Sequence, residues 1–253
     1  MTVVINELIS DNEHIIEKIL ALLAKTADPE TSIFFIHFDP HYRKFFKTMI
    51  NNKIDRVFYC EDDEDNFLGF AHFKKLDKKV ILNKIVIETK FQGLTCGKML
   101  LISALNTIFR EYNDCENFEL DVFEKNQKAL NWFLKLKMDI SDYRNWYNVT
   151  DYFRSDIRLA NSYFSIEKSF KFIQDGNGFM QLVYNNSHIG TLIDNMYLVI
   201  KTDIDYFLLN SMNSFFKKFS LETVCMVTKK EHDLFLIDKS FHLTIPFKKL
   251  KLV

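Results

Sequence analysis

Glycine is scarce in this chain: 6 among 253 residues. Where those few stand is therefore informative, and two of them, Gly93 and Gly97, fall together. Cysteine is also scarce, and Cys60, Cys96, Cys115 and Cys225 are scattered with no C-x-x-C pair. That excludes a disulfide framework and reads as free thiols in a reducing compartment, hence a cytoplasmic protein. Charge of one sign is missing too. The net charge is −1 with no dense basic stripe, which argues against nucleic acid as a main partner. No apolar run approaches the roughly 20 residues that span a bilayer, so no membrane partner is expected. The start, Met1-Thr2-Val3-Val4-Ile5, lacks a signal-peptide pattern. A P-loop would need G-x-x-x-x-G-K-[ST], but Gly93 and Gly97 are four apart and Lys98 precedes Met99. The dinucleotide fingerprint G-x-G-x-x-G is absent, as is any local signature of a Ser-His-Asp triad. His37 and His41 have the i, i+4 spacing of a metal pair. Asp39-Pro40 interrupts any helix between them, and no metal is expected.

What is present begins with an ordinary globular composition, 47% hydrophobic and 26% charged, at a length that fits one large domain or two small ones. The β-type run Val80 to Ile87 is followed by Glu88 to Leu101, ETKFQGLTCGKMLL, and a helical pattern from Lys98 to Phe109. A strand, a glycine turn and a helix N-terminus together make an anion site. The first N–H groups of a helix have no internal partner, and the helix dipole adds positive potential. A phosphate or pyrophosphate is the expected ligand, and a plain strand-to-helix turn is the alternative. Gln92-Gly93-Leu94-Thr95-Cys96-Gly97 resembles the Q/R-x-x-G-x-G/A motif of the GNAT superfamily of acyl-CoA N-acyltransferases. Thr95 stands where that family usually has its middle glycine. It is tolerable at negative φ and strained at positive φ.

A second segment adds to the resemblance. Phe118 to Val122 reads as a strand, Asn126 as a cap, and Gln127 to Met138 as a helix with Ala129, Leu130, Phe133 and Leu136 on one side. This is similar to the GNAT pattern L-x-V-x-x-x-N-x-x-A-x-x-x-Y through Leu120, Val122, Asn126 and Ala129. The motifs follow the family's order, over about residues 1–150. The resemblance implies an α/β fold: a central mixed, twisted sheet flanked by helices.

It also implies direct acyl transfer from acetyl-CoA, the co-substrate, to an amine acceptor, a small molecule or a protein. The backbone of Ile85 and Ile87 would pair with the pantetheine arm, and an N–H near Ile87 would polarise the thioester carbonyl. Residues Gln92, Gly93, Leu94, Thr95, Cys96, Gly97 and Lys98 would hold the pyrophosphate. Asn126 would bond the pantetheine or a water, or cap its helix, or both. Phe133 occupies the cofactor-side position where the family often has a tyrosine that protonates the leaving thiolate. A phenyl ring has no proton to give. Tyr143 or Tyr147 could serve instead, or water could, or the chain binds acyl-CoA without turnover. For the base, period two puts Asn83 on the face of Ile85 and Ile87, where it could orient a water. Glu88 points to the other face unless a bulge re-aims it, and Asp121 and Glu119 share a face on the next strand. Three classes remain open: an N-acetyltransferase, a non-catalytic acyl-CoA sensor or interaction module, and a structural pseudo-enzyme that binds no coenzyme A.

Along the chain, Val3 to Ile5 reads as a strand and Asn12 to Ala24 as an amphipathic helix. A helix follows from Asp39-Pro40 to Ile50, then strands Arg56 to Cys60 and Leu68 to Lys74 around an acidic turn, and a strand pair within Ser141 to Val149. The last hundred residues echo the first part. Leu198-Val199-Ile200 echoes Ile85-Val86-Ile87, Ile189-Gly190 echoes Leu68-Gly69, and Met212 to Phe216 echoes Leu105 to Phe109. No glycine lies between Thr202 and Phe216, so a pyrophosphate loop is missing there. The expectation is a catalytic GNAT domain over 1–150 and a degenerate, smaller GNAT-like α/β domain over 151–253. A strand at Thr223 to Thr228, a short helix to Lys239 and a strand from Leu243 complete it. The split between central strands that marks the family should recur in this half. Lys248, Lys249 and Lys251 read as lysines on an edge strand. Two open sheets leave room for a homodimer.

Overall fold

The computed structural model describes residues 2–9, 12–53, 55–112, 114–154, 170–201, 212, 216 and 219–250. In chain order the elements are β1 (Val3–Glu7), α1 (Glu13–Lys25), α2 (Tyr42–Asn51), β2 (Asp55–Asp62), β3 (Phe67–Leu76), β4 (Lys79–Ile87), α3 (Cys96–Glu111), β5 (Asn117–Phe123) and α4 (Gln127–Lys135). They continue with β6 (Asp139–Asn148), α5 (Thr150–Arg154), β7 (Phe170–Gln174), β8 (Met180–Tyr184), β9 (Ser187–Ile193), β10 (Tyr197–Lys201), β11 (Thr223–Thr228) and β12 (Phe235–Pro246). The chain forms two compact units that interleave in sequence. The first contains residues 1–27, 43–142 and 241–253, and the second residues 28–42 and 143–240.

In the first unit the strand order is β1-β2-β3-β4-β5-β12, with β4 and β5 parallel and β1 to β4 an antiparallel meander. Local signals place its helices. Asn12 caps α1 by accepting the Ile15 N–H at 3.2 Å, and Ile15, Ile16, Ile19, Leu22 and Leu23 bury one stripe of that helix. Asn126 caps α4 in the same way, accepting from the Ala129 N–H at 3.2 Å. One face of the sheet, with Phe73, Val80, Leu82, Phe118 and Leu120, packs with Leu100, Leu101, Ala104 and Leu105 of α3 and Leu130 and Phe133 of α4. Leu243 and Ile245 of β12 belong to the same core. That closing strand comes from the far end of the chain.

In the second unit the order is β6-β11-β10-β9-β8-β7, with β10 and β11 parallel. Here the echoes in the sequence have structural counterparts. On β3 the ladder with β2 slips between Cys60↔Gly69 and Glu61↔Phe67, leaving Leu68 as the extra residue. On β9 the ladder with β8 slips between Leu182↔Gly190 and Val183↔His188, leaving Ile189 extra. The glycine after each bulge faces the next strand at close range. A Cβ on Gly69 would lie 2.3 Å from the Val86 carbonyl oxygen, and one on Gly190 would lie 2.6 Å from that of Val199. The recurrence of the split is a different matter. All five residues of β10 pair with β11, so no divergence is present among the described residues. Residues 202–211 lie outside them, as do the middle positions of the Met212 to Phe216 echo.

Several local expectations need correction. Ser141 to Asn148 lies within one strand, β6, rather than forming a strand pair, and Val149 follows its end. Phe235 to Lys239 is strand where a short helix was expected, since β12 runs unbroken to Pro246. Phe247–Lys249 is a 3₁₀ turn that follows Pro246, not an edge strand, and Lys251 lies outside the described residues.

Candidate active site: a split between two parallel strands

The parallel ladder of β4 and β5 has four pairs, from Lys79↔Asn117 to Leu82↔Leu120. Beyond Leu82, β4 continues through Ile87, and beyond Leu120, β5 continues through Phe123. The two strands therefore diverge, and the apex of the opening lies beside Asn83 and Asp121. A second irregularity sits at the same place. Leu82 pairs with Phe73 and Lys84 with His72, so Asn83 is an extra residue on β4. This bulge shifts the alternation by one. Ile85 and Ile87 stay on the α3 side, against the same core as Leu82. Asn83 does not share their face. It is exposed, and its amide lies 3.5 Å from His72 Nε2, on the side where α2 packs through Phe46. Counting by twos from Ile85 missed this because a bulge breaks the period.

The loop after β4 turns through Gly93 at φ +85° and Thr95 at φ +63°. The second value realises the strained alternative: a β-branched residue holds a left-handed conformation at the N-cap of α3. No side chain caps this helix. The Thr95 hydroxyl donates instead to the Leu94 carbonyl at 2.6 Å. The backbone N–H groups of Cys96, Gly97 and Lys98 thus point out of the first turn without an acceptor among the described residues. Leu94 and Thr95 are exposed, while Cys96 is buried against the sheet. Gly97 packs close to β4, where a Cβ would stand 3.4 Å from Ile87 Cγ1.

Gln92 joins three parts of this site. Its side-chain amide donates to the Ile87 carbonyl at 3.0 Å, and its carbonyl accepts from Lys128 Nζ at 2.6 Å. Lys128, on α4, brings a cation to the uncapped end of α3. It carries no motif signal, and only the meeting of α4 with the loop reveals it. Asn126 is engaged as the cap of α4.

The structure does not gather the expected catalytic residues at one point. Asn83 and Asp121 flank the apex. Glu88 is roughly 16 Å further along β4. There it ion-pairs with Lys25 at 2.8 Å and lines a cleft of about 650 Å³ with Lys18, Asn66 and Lys90. Tyr143 belongs to the second unit, where Lys239 Nζ lies 5.1 Å from its ring centre. Tyr147 is buried in the core of that unit and its hydroxyl accepts the His232 N–H. Phe133 is 3% exposed, a core residue rather than part of a cleft wall.

Asp121 has a partner the sequence did not reveal. His242 of β12 sits between two carboxylates, with Nδ1 at 2.9 Å from Asp121 and Nε2 at 3.3 Å from Glu119. Glu119 is also held by Lys79 at 2.9 Å. The hydrogen bond to Asp121 raises the imidazole pKa above its usual value; partial burial opposes this, and Glu119 adds to the rise. Elsewhere in the unit, burial lowers the pKa of Lys84 and pushes the Cys60 thiol up to about 12. All four cysteines are free. Among the described residues no group of three or more His, Cys, Asp or Glu converges on a metal site, and no helix is long and apolar enough to cross a membrane.

Residues 25–138 match the model of the acetyltransferase (GNAT) family. No curated protein matches the sequence. Among solved structures, a tandem GNAT protein from the clavulanic acid biosynthesis pathway, without acetyl-CoA, aligns over 97% of this chain and 98% of its own, at 9% identity and TM-score 0.59. A spermidine N-acetyltransferase from Vibrio cholerae in complex with CoA and spermine aligns over 56% of this chain and 83% of its own, at 17% identity and TM-score 0.45.

Proposed function

We infer the reaction from the family: the chain belongs to the GNAT superfamily of acyltransferases and has the fold of its tandem members. We propose that it transfers an acetyl group from acetyl-CoA directly to a primary amine. The observation that carries this reading is the uncapped N-terminus of α3 beside the mouth of the β4–β5 split. Three free N–H groups and the Lys128 ammonium suit a pyrophosphate. The stretch of β4 left open on its β5 side suits an extended pantetheine arm, added as a strand through Ile85 and Ile87. An N–H of the bulged segment would then face the thioester carbonyl, where oxyanion charge develops. Asn83, exposed at the apex, would orient a water beside the incoming amine.

In this reading the second unit is a diverged copy of the first. The bulge-glycine pairs at Leu68-Gly69 and Ile189-Gly190 support it. Its sequence holds no glycine between Thr202 and Phe216 for a loop of this kind.

The rival reading is an acyl-CoA-binding module without turnover. Phe133 favours it, being buried and lacking a hydroxyl to protonate the departing thiolate.

Isothermal titration with acetyl-CoA tests the proposal, using the wild type and Gly97→Trp. The indole would have to occupy the space held by Ile87. The expected outcome is micromolar binding by the wild type and at least a tenfold loss in the variant. Coenzyme A release on adding primary amines then separates the enzyme from the sensor. No binding by the wild type would sink both.

A further inference from the structure

The first unit contains a buried acid–imidazole pair that the reaction above leaves without a role. Asp55 opens β2 and His72 lies within β3, with Nε2 at 3.2 Å from Oδ2. Both residues are more than nine-tenths buried, and Phe46 of α2 meets the imidazole edge-on. The other oxygen of Asp55, Oδ1, is buried with no hydrogen-bond partner. An orphaned buried acceptor is costly, which a purely structural pair would not need to bear. The bulge brings this pair to the split. Asn83, displaced from the ladder and exposed, stands with its amide 3.5 Å from His72 Nε2. It is also the first residue of β4 past the last pair with β5. The carboxylates considered from the sequence are engaged, Asp121 by His242, Glu119 by Lys79 and Glu88 by Lys25. Asn83 has no site to take up a proton.

We propose that His72 is the proton acceptor for the amine, positioned by Asp55 and reached through water at the apex of the split. This rests on the acetyltransferase reading above. Nε2 is the nitrogen that faces Asp55, so Nδ1 is the one left to take a proton. Among the described residues Nδ1 has no hydrogen-bond partner, and the His72 side chain keeps a small exposure. An alkylammonium ion gives one proton, through the water, to Nδ1. Asp55 neutralises the imidazolium that results. The freed amine attacks the thioester carbonyl, the C–N bond forms and the C–S bond breaks. The sulfur leaves with its electron pair as the coenzyme A thiolate. The second nitrogen proton passes to that thiolate through solvent, and His72 returns its own proton to water.

The test compares two acceptors on the full chain: butylamine, which is protonated at neutral pH, and hydroxylamine, which is not. A base is needed only for the first. His72→Gln should bind acetyl-CoA as the wild type does and acetylate hydroxylamine within about threefold of it. With butylamine it should lose about 100-fold or more in kcat, the usual weight of general-base catalysis. Asp55→Asn should show the same selectivity and covers the case in which the His72 variant does not fold. Equal loss with both amines assigns the pair a structural role and overturns the proposal. So does no loss with either, or a wild type that acetylates only hydroxylamine. A wild type that binds acetyl-CoA but releases coenzyme A with neither amine overturns the acyl-transfer reading itself.

Discussion

Thr95 concentrates the conflict between local preference and site geometry. A left-handed conformation costs a residue with a Cβ roughly 1–2 kcal/mol. Thr95 adopts it at φ +63°, where the turn from β4 into α3 has to reverse. Its hydroxyl bonds the preceding carbonyl instead of capping the helix, so the N–H groups of the first turn stay open. Thr95→Gly should relieve the strain and loosen the unfolded chain by about 0.4–1 kcal/mol. The net expectation is a stability unchanged or raised by up to about 1 kcal/mol, read from the midpoint of urea unfolding. A loss of more than about 1 kcal/mol would mean that the side chain is worth more in this loop than its backbone costs.

At the scale of elements, β5 and β12 are joined by His242 between Asp121 and Glu119. The folded-state pKa of His242 is raised, so the stabilisation it contributes is fully present below the unfolded value near 6.5. It is lost as the pH rises through the folded value. Unfolding at pH 5.5 and at pH 8.5 should therefore differ more in the wild type than in His242→Gln. The wild type's relative advantage should lie at the acid end. An advantage at the alkaline end would show that the pair is not formed as described. β4 illustrates another point at this scale. Its apolar alternation is visible in the sequence, but a single extra residue moves Asn83 across the sheet. No residue in the segment announces that, because a bulge is set by how two strands register.

On the scale of the molecule, the first unit depends on the end of the chain. Leu243, Ile245 and Leu250 are each at most 9% exposed in its core, and β12 lies next to β5. Deleting a buried Leu or Ile side chain costs roughly 2–5 kcal/mol. Losing three exceeds much of the 5–15 kcal/mol that holds a typical domain. A chain ending at residue 150 should show no cooperative thermal transition by circular dichroism. Appending residues 241–253 through a glycine-serine linker should restore one. A sharp transition in the truncated chain would show that β12 is dispensable.

The two motifs were legible because each is local. A glycine turn between a strand and a helix, and an asparagine capping the next helix, depend on residues within a few positions of one another. The resemblance they carry extended to the mixed α/β fold and its tandem relative. The echo of Leu68-Gly69 in Ile189-Gly190 was legible for a local reason too, since at both places a strand approaches too closely for a Cβ. What only the tertiary structure decided is the company each residue keeps. Lys128 reaches Gln92, His242 reaches Asp121, and His72 lies between Asp55 and Asn83. These partners come from different strands and helices, up to 121 positions apart for His242 and Asp121. Periodicity assigns a side chain to a face, but which other segments share that face is settled by strand register, by a bulge, and by a strand returned from the chain's far end.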